Sequence, residues 1–343
     1  MSAGAGAATV SVVVPTYNRG PALGQTLARL MASELSDGDA LEIFVVDDGS
    51  AAPAEETAEA TGLLAEPRRW PLRWLRQANA GPAAARNAGF RAARGAIVLF
   101  VDDDILVPPD LVRAHLAAHR AHPRSVIFGL CPFVPAEPPS PFRKFVDAVE
   151  SASNPTGAVT PMPTVASGQI SVEREQFATD EGVYASDLVT PAAEEYELAY
   201  RLRRRGTPIL LVPAMRALHD QAVEIESYCR QQYKHGLGCG EAAAKQPDLL
   251  GLPELARVIE ANRARGDAPR SVRSGLKSVA ARPAVRAALL ALARAQEQLP
   301  VPRALRDAAY RAAISAHFVA GVRDGLARFG RESGSATGPS VSP

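Results

Sequence analysis

Cysteine is scarce in this 343-residue sequence: Cys131, Cys229 and Cys239 are few, odd in number and without metal-like spacing. That argues against a disulfide framework or a cysteine metal cage and fits reduced thiols in a cytoplasm. Lysine is nearly missing as well, with only Lys144, Lys234, Lys245 and Lys277 among 38 basic residues; the Arg and Ala richness reads as codon composition more than chemistry. No apolar run approaches the roughly 18–20 residues that span a bilayer. The opening "MSAGAGAATVSVVVP" lacks the basic segment of a signal peptide. The expectation is a soluble, cytoplasmic protein, either free or peripheral at the inner face of a membrane. A formal net charge of only +1 removes the electrostatic basis for nucleic-acid binding. Also absent are a P-loop, a G-x-G-x-x-G after the first strand and a G-x-S-x-G elbow.

What is present is an alternation. "TVSVVVP" (9–15), "LEIFVVDDGS" (41–50), "LRWLRQ" (72–77) and "AIVLFV" (96–101) read as strands. Between them lie helical patterns at 20–34 and 81–95. Continuous apolar strands separated by helices predict an α/β fold with a mostly parallel central sheet covered on both faces. Ligands of such sheets sit beyond the carboxyl ends of the strands. The proline-rich stretch 131–165 reads as an irregular surface excursion, 191–206 as a helix, and 208–213 as a last strand. From about 221 the pattern is helical and basic: residues 251–330 carry 14 Lys and Arg against 6 Asp and Glu.

The chemistry concentrates at "FVDDDIL" (100–106), where Asp102, Asp103 and Asp104 follow a run apolar enough to be a buried strand. Three adjacent carboxylates repel one another, and burial of an unpaired one is costly. Placed at the rim of a parallel sheet, they suit a hard divalent cation, Mg²⁺ or Mn²⁺, with a diphosphate. The plainer alternative is a solvated acid cluster capping a helix. His115 and His119 share a helix face, with His122 beyond; a solvated face is the better reading than a metal site.

"VVVPTYNR" (12–19), "VVDDGS" (45–50), "NAGPAAARNAGF" (79–90), "FVDDD" (100–104) and "EEYELAYRLRRRG" (194–206) occur in an order and spacing that resemble the family 2 glycosyltransferases. The resemblance covers about residues 9–220. It implies a GT-A fold, a nucleotide-diphosphate sugar donor and inversion at the anomeric carbon. By resemblance Pro15, Thr16 and Tyr17 line the nucleotide, Arg19 approaches it, and Asp48 with Asp47 reaches the base. Gly81 permits close backbone approach, with Arg86 and Asn87 near the nucleotide or the acids. Asp102 becomes a ligand of the ribose or donor sugar, Asp103 a contact to one or the other, and Asp104 with His219 the metal site. Gly168 in "ASGQIS" and Glu194 belong to the acceptor or donor-sugar loop. Glu195 takes the place of the catalytic base, where the family more often has Asp; the added methylene displaces the carboxylate, and such errors cost ~10²-fold when uncompensated. A turn or helix-terminal role remains the plain alternative for Tyr17, for one of Asp47 and Asp48, and for Glu194.

The organisation so implied is a disordered 1–8, a catalytic domain over 9–220, a helical region over 221–330, and a disordered tail over 331–343. Within the catalytic domain, about 9–105 is the nucleotide-sugar half and about 106–220 the acceptor half. A UDP-sugar is the favoured donor; a saccharide, a lipid-linked molecule or a small molecule is the acceptor. The C-terminal helices either pack on the catalytic domain or pair two subunits, or lie on an anionic membrane. "Q-x-x-R-W" of processive synthases is absent, which favours one sugar per acceptor. The rival from another class is a catalytically weak nucleotide-sugar-binding or scaffolding protein with the same fold.

Overall fold

The structure is a computed structural model that describes residues 9–335 apart from 65–66, 167, 179–181, 254, 257–278 and 280. The segment 1–8 and most of the tail 331–343, both expected to be disordered, lie outside the described residues, as does part of the basic helical region. Two compact units divide the chain. The first takes residues up to Val134, Ala152–Val189 and Arg201–Gln221; the second takes Pro135–Ser151, Thr190–Tyr200 and the chain from Ala222 onward. Two segments before the transition expected near 220, both assigned by sequence order to the acceptor half of the catalytic domain, thus fall in the second unit.

The strands, in chain order, are β1 (Thr9–Thr16), β2 (Ala40–Asp47), β3 (Leu72–Arg76), β4 (Ile97–Val101), β5 (Ile105–Leu106), β6 (Val126–Leu130), β7 (Thr160–Pro161), β8 (Gln169–Glu173), β9 (Ile209–Arg216) and β10 (Leu218–His219). In the first unit they form an eight-stranded sheet ordered β3-β2-β1-β4-β8-β6-β9-β7, and a separate β5–β10 pair. Strands β3, β2, β1 and β4 are mutually parallel, as are β6 and β9. Strand β8 runs antiparallel to both its neighbours, β4 and β6. Val10, Val12, Val13 and Val14 are all fully buried, and every residue of β4 is buried. That is the two-faced burial that continuous β-branched and aromatic runs signal, because helices cover both sides of a parallel sheet.

Helices α1 (Gly20–Met31), α2 (Ala54–Glu59), α3 (Pro82–Ala92) and α4 (Leu111–Ala121) belong to this first unit. Leu23, Leu27 and Leu30 form the buried stripe of α1. On α4 the outcome differs from the sequence expectation. His115 and His119 lie on its buried face, with Leu111, Val112 and Leu116, and not on a solvated one. The spacing identified a common face correctly; packing on the sheet decided that this face turns inward.

The second unit is helical, built from α5 (Pro141–Ser153), the start of α6 (Ala193–Arg205), α7 (Ile225–Lys245), α8 (Pro283–Ala295) and α9 (Arg303–Ser335). Helix α5 corrects the reading of 131–165 as irregular throughout. Phe142, Phe145 and Val146 make a buried face at helical spacing, hidden in the sequence by the flanking prolines. Phe142 and Phe145 pack against Tyr310 of α9, at 5.0 and 5.3 Å between ring centroids. Helices α7 and α9 cross through glycines. A Cβ at Gly236 would lie 2.1 Å from the Phe318 carbonyl oxygen, and one at Gly321 would lie 2.0 Å from that of Tyr233. Helix α9 continues to Ser335, a few residues into the stretch expected to be a disordered tail.

Candidate active site

The chain leaves β4 directly into the three aspartates, and each meets a different partner. Asp102 is bracketed by Gly168, just before β8: its N–H donates to the Gly168 carbonyl at 3.0 Å, and its Oδ2 accepts from the Gly168 N–H at 3.1 Å. Its Oδ1 accepts from Arg86 Nη2 at 2.8 Å. Gly168 has φ +55°, and a Cβ there would come within 2.8 Å of Cys131 Sγ, so the position takes glycine on both conformational and steric grounds. Arg86 rises from the first turns of α3 and is buried, with its guanidinium over the Tyr184 ring at 5.3 Å.

Asp103 points inward. Its Oδ2 accepts from Thr16 Oγ1 at 2.6 Å, and its carbonyl accepts from Thr26 Oγ1 at 2.9 Å. Burial pushes its carboxyl up to about 7, with Asp104 and Asp102 adding to the rise against the pull of Thr16 and Arg19. Asp104 is contacted on both sides: Arg19 donates to Oδ2, and His219 Nε2 lies 3.0 Å from Oδ1. Burial alone would raise Asp104, but the hydrogen bond and charge of His219, then Arg19, outweigh it and hold the carboxyl below the usual range. The same pair holds His219 above its ordinary value: burial lowers it, and the hydrogen bond and charge of Asp104 more than offset that.

His219 reaches Asp104 because β10 pairs antiparallel with β5, setting His219 opposite Ile105 immediately after the triplet. Two backbone bonds to the segment after β6 fix it there, His219 N–H to Pro132 O at 2.8 Å and Val134 N–H to His219 O at 3.0 Å. The Phe133 ring stacks on the imidazole at 5.4 Å, inclined by 12°.

The second group lies at the ends of β1 and β2. Asp48 Oδ1 accepts from Gln77 Nε2 at 2.7 Å and the Ala80 N–H at 2.9 Å, and its Oδ2 accepts from the Gly81 N–H at 2.9 Å. Asp47 closes a turn, accepting from the N–H groups of Ser50 and Ala54 at 2.8 and 3.1 Å. Burial tends to raise Asp47, but those bonds and Arg76 outweigh it and lower its carboxyl. Gly81 has φ +91°, and a Cβ there would stand 3.0 Å from the Val189 carbonyl oxygen. Tyr17 is half exposed, at 51%, with Pro15 partly buried beside it.

Asn87, expected near the nucleotide or the acids, is fully buried and turned elsewhere. Its Nδ2 donates to the Tyr184 carbonyl at 2.6 Å and to Ser186 Oγ at 2.9 Å, and its Oδ1 accepts from the Tyr184 N–H at 3.0 Å. It holds the 184–186 loop that carries the ring beneath Arg86.

Glu194 and Glu195 open α6 in the second unit, where Glu194 is buried and Glu195 partly so. Burial pushes the Cys239 thiol on α7 up to about 11, and the charge of Glu195 adds to the rise. Glycine on α7 makes room for the approach to α6: a Cβ at Gly238 would lie 2.3 Å from the Pro191 carbonyl oxygen. Glu241 accepts from the Thr190 N–H at 2.8 Å.

Among the described residues no three His, Cys, Asp or Glu close a metal cage. The donor chemistry of Asp104 and His219, one ionised carboxylate beside one imidazole, nevertheless fits a divalent cation that keeps waters and takes the rest of its shell from substrate phosphate. Sequence reasoning did not reach Thr26, Phe133, Tyr184 and Gln169. Only tertiary pairing brings Thr26 to Asp103, Phe133 to His219 and Tyr184 to Arg86, and Gln169, though inside "ASGQIS", shows its partners only in the fold.

Residues 11–147 match the family model described as glycosyl transferase family 2. A validoxylamine A glucosyltransferase of Streptomyces hygroscopicus subsp. limoneus is 27% identical over 276 residues, covering 72% of this chain and 58% of that protein. The chain thus spans less than two thirds of that relative's length. Among solved structures, the mannosyltransferase PcManGT from Pyrobaculum calidifontis, in complex with GDP-Man and Mn²⁺, superposes with a TM-score of 0.56 at 21% identity, covering 93% of this chain and 87% of that one. GalNAc-T7 with UDP, GalNAc and Mn²⁺ gives 0.52 at 18% identity, over 73% of this chain and 52% of that one. At these identities the likeness is one of fold, the GT-A arrangement of a mostly parallel sheet between helices. No described helix is long and apolar enough to cross a membrane.

Proposed function

We propose that this chain, whose residues 11–147 match glycosyl transferase family 2, belongs to that family and moves one sugar from a nucleotide-diphosphate donor to an acceptor hydroxyl, with inversion and with a divalent metal. The observation that carries this reading is the convergence of Arg19 and His219 on Asp104 at the end of β4. Cationic and metal-ligating groups meet there on one ionised carboxylate, at the edge of the sheet where ligands of α/β folds lie.

Asp104 and His219 would hold Mn²⁺ or Mg²⁺, which when bound neutralises charge on the departing diphosphate. Arg19 is the chain's own cation for that diphosphate. Asp102, fixed by Gly168 and Arg86, accepts hydrogen bonds from the ribose or the donor sugar. Tyr17 and Pro15 offer a surface to the base, whose edge Asp48 addresses. Glu195 accepts the proton of the acceptor hydroxyl as its oxygen bonds to the anomeric carbon. The bond from that carbon to the diphosphate oxygen breaks on the opposite face, which inverts the configuration. The Glu195 role rests on the sequence resemblance.

A UDP-sugar is the favoured donor. The relative named validoxylamine A glucosyltransferase makes a glucosyl donor and validoxylamine A the first pair to test. Exposed Leu292, Leu299 and Leu305 near exposed Arg294 and Arg303 support a contact through the C-terminal helices, with a second copy or with anionic lipid. Sedimentation and vesicle flotation separate the two.

Thermal melting with a panel of nucleoside diphosphates and nucleotide sugars, with Mn²⁺ or with EDTA, tests the central proposal. A ligand at 100 times its dissociation constant adds about 2.7 kcal/mol. One nucleotide should give a Mn²⁺-dependent rise that Asp104→Asn abolishes. No rise with any nucleotide would sink the donor site. Binding without turnover against any acceptor would favour the scaffolding reading.

A further inference from the structure

Between β8 and α4 lies a buried polar cluster that the proposed reaction does not use: His115 and His119 of α4 with Gln169 and Ser171 of β8. Gln169 Nε2 donates both protons, to the Leu130 carbonyl at 3.0 Å and the Met215 carbonyl at 3.2 Å. Its Oε1 is therefore the acceptor that faces His115 Nε2 at 3.0 Å, so that nitrogen carries the imidazole proton. His115 Nδ1 is then bare and accepts from Ser171 Oγ at 2.8 Å. The Ile127 carbonyl, at 3.4 Å, is the more distant competitor for that hydroxyl proton; with it given to Nδ1, Ser171 Oγ accepts from His119 Nε2 at 2.8 Å. Both imidazoles are neutral in this scheme, in line with burial pulling His115 down to about 4 and His119 to about 3.

The cluster fills a defect in the sheet. Pairing of β6 with β9 shifts register between Phe128 and Leu130. The Gln169 amide enters beside Gly129, where a Cβ would stand 2.7 Å from Gln169 Nε2. Gln169 directly follows Gly168, the residue that grips Asp102 through both backbone groups.

We propose that His115 and Gln169 are positioning residues: through Gly168 they hold the Asp102 carboxylate in place, and so set how tightly a donor's ribose or sugar hydroxyls are bound. The second half of that statement rests on the donor site proposed above. The first half does not. Neither residue is a catalytic residue, since both are fully buried.

Two substitutions at one position separate the role from mere packing. In His115→Gln the longer amide can still present an N–H where Nε2 was, toward Gln169. In His115→Asn the short amide keeps the Ser171 contact and cannot reach Gln169. Amide exchange of the segments containing Gly168 and Asp102, compared with β1, is measured in full-length protein, followed by titration with UDP-glucose and Mn²⁺. His115→Asn and Gln169→Leu should speed exchange at Gly168 and Asp102 about tenfold, near 1.4 kcal/mol, and leave β1 protected. UDP-glucose binding should weaken by a similar factor, and His115→Gln should stay close to wild type in both. Equal loosening of β1, an unchanged Gly168 in His115→Asn, or a His115→Gln as damaged as His115→Asn would each overturn the proposal. If wild-type protein binds no nucleotide sugar, the donor site falls, and the exchange comparison alone still decides the positioning role.

Discussion

Arg19 stands between two uses of the same carboxylate. Its guanidinium meets Asp104 and approaches Asp103, and those charges lift it above its ordinary value even though burial works the other way. Removing it leaves Asp104 with His219 alone. Arg19→Met should therefore bind Mn²⁺ more tightly than wild type when no nucleotide is present. It should bind a nucleoside diphosphate about tenfold less well, since hydrogen bonds to charged groups contribute about 1.5–3 kcal/mol. Calorimetric titration of each ligand checks both directions. At the proposed base, Glu195→Gln should lower kcat by about 10²–10⁴-fold with little change in donor affinity, because proton acceptance is needed only as the acceptor attacks. Steady-state rates beside direct donor titration separate the two. The grouping around Asp104 was legible residue by residue: the acids after "AIVLFV" and His219 stand out in the sequence, and the fold brings them together. Asn87 was not, because a polar residue beside Arg86 looks alike whether it faces a ligand or ties down a loop.

At the scale of elements, the strands announced themselves through continuous apolar runs, whereas orientation within the sheet did not. Nothing in "GQISVE" says that it runs antiparallel between β4 and β6. The pairing of α7 with α9 was equally hidden, since glycine inside a helix reads as a weakness of about 1 kcal/mol rather than as a contact. Here Gly236 and Gly240 face α9 while Gly321 and Gly325 face α7, and backbone atoms fill the space a side chain would need. Gly321→Ala should destabilise the second unit by about 1–3 kcal/mol, the usual cost of overpacking, despite the higher helix propensity of alanine. Gly330→Ala, where a Cβ meets nothing within 4 Å, should be neutral or stabilising. Chemical denaturation of the two variants side by side gives the comparison.

For the molecule as a whole, the neutral pair His115 and His119 sets an acid limit. The unfolded chain takes up protons at these side chains below about pH 6.5, while the folded state resists until about 4 and about 3. Stability contributed by this pair is complete above pH 6.5 and falls as pH drops through that window. The double substitution His115→Gln with His119→Gln should flatten the decline between pH 6.5 and 4, as read from denaturation midpoints across pH. The whole chain was legible as an α/β layer with a helical remainder, but not as two units that exchange segments at 135–151 and 190–200. Tertiary contact, not chain order, decides that division. The stretch that matches the family model ends at 147, yet Asp102 is gripped by Gly168 and Asp104 by His219. A fragment cut at the boundary of its recognisable signature would keep Asp102, Asp103 and Asp104 and lose the grip on the first and the last of them. For anyone preparing minimal versions of such proteins, the sensible end of the domain is set by its last partner and not by its last motif.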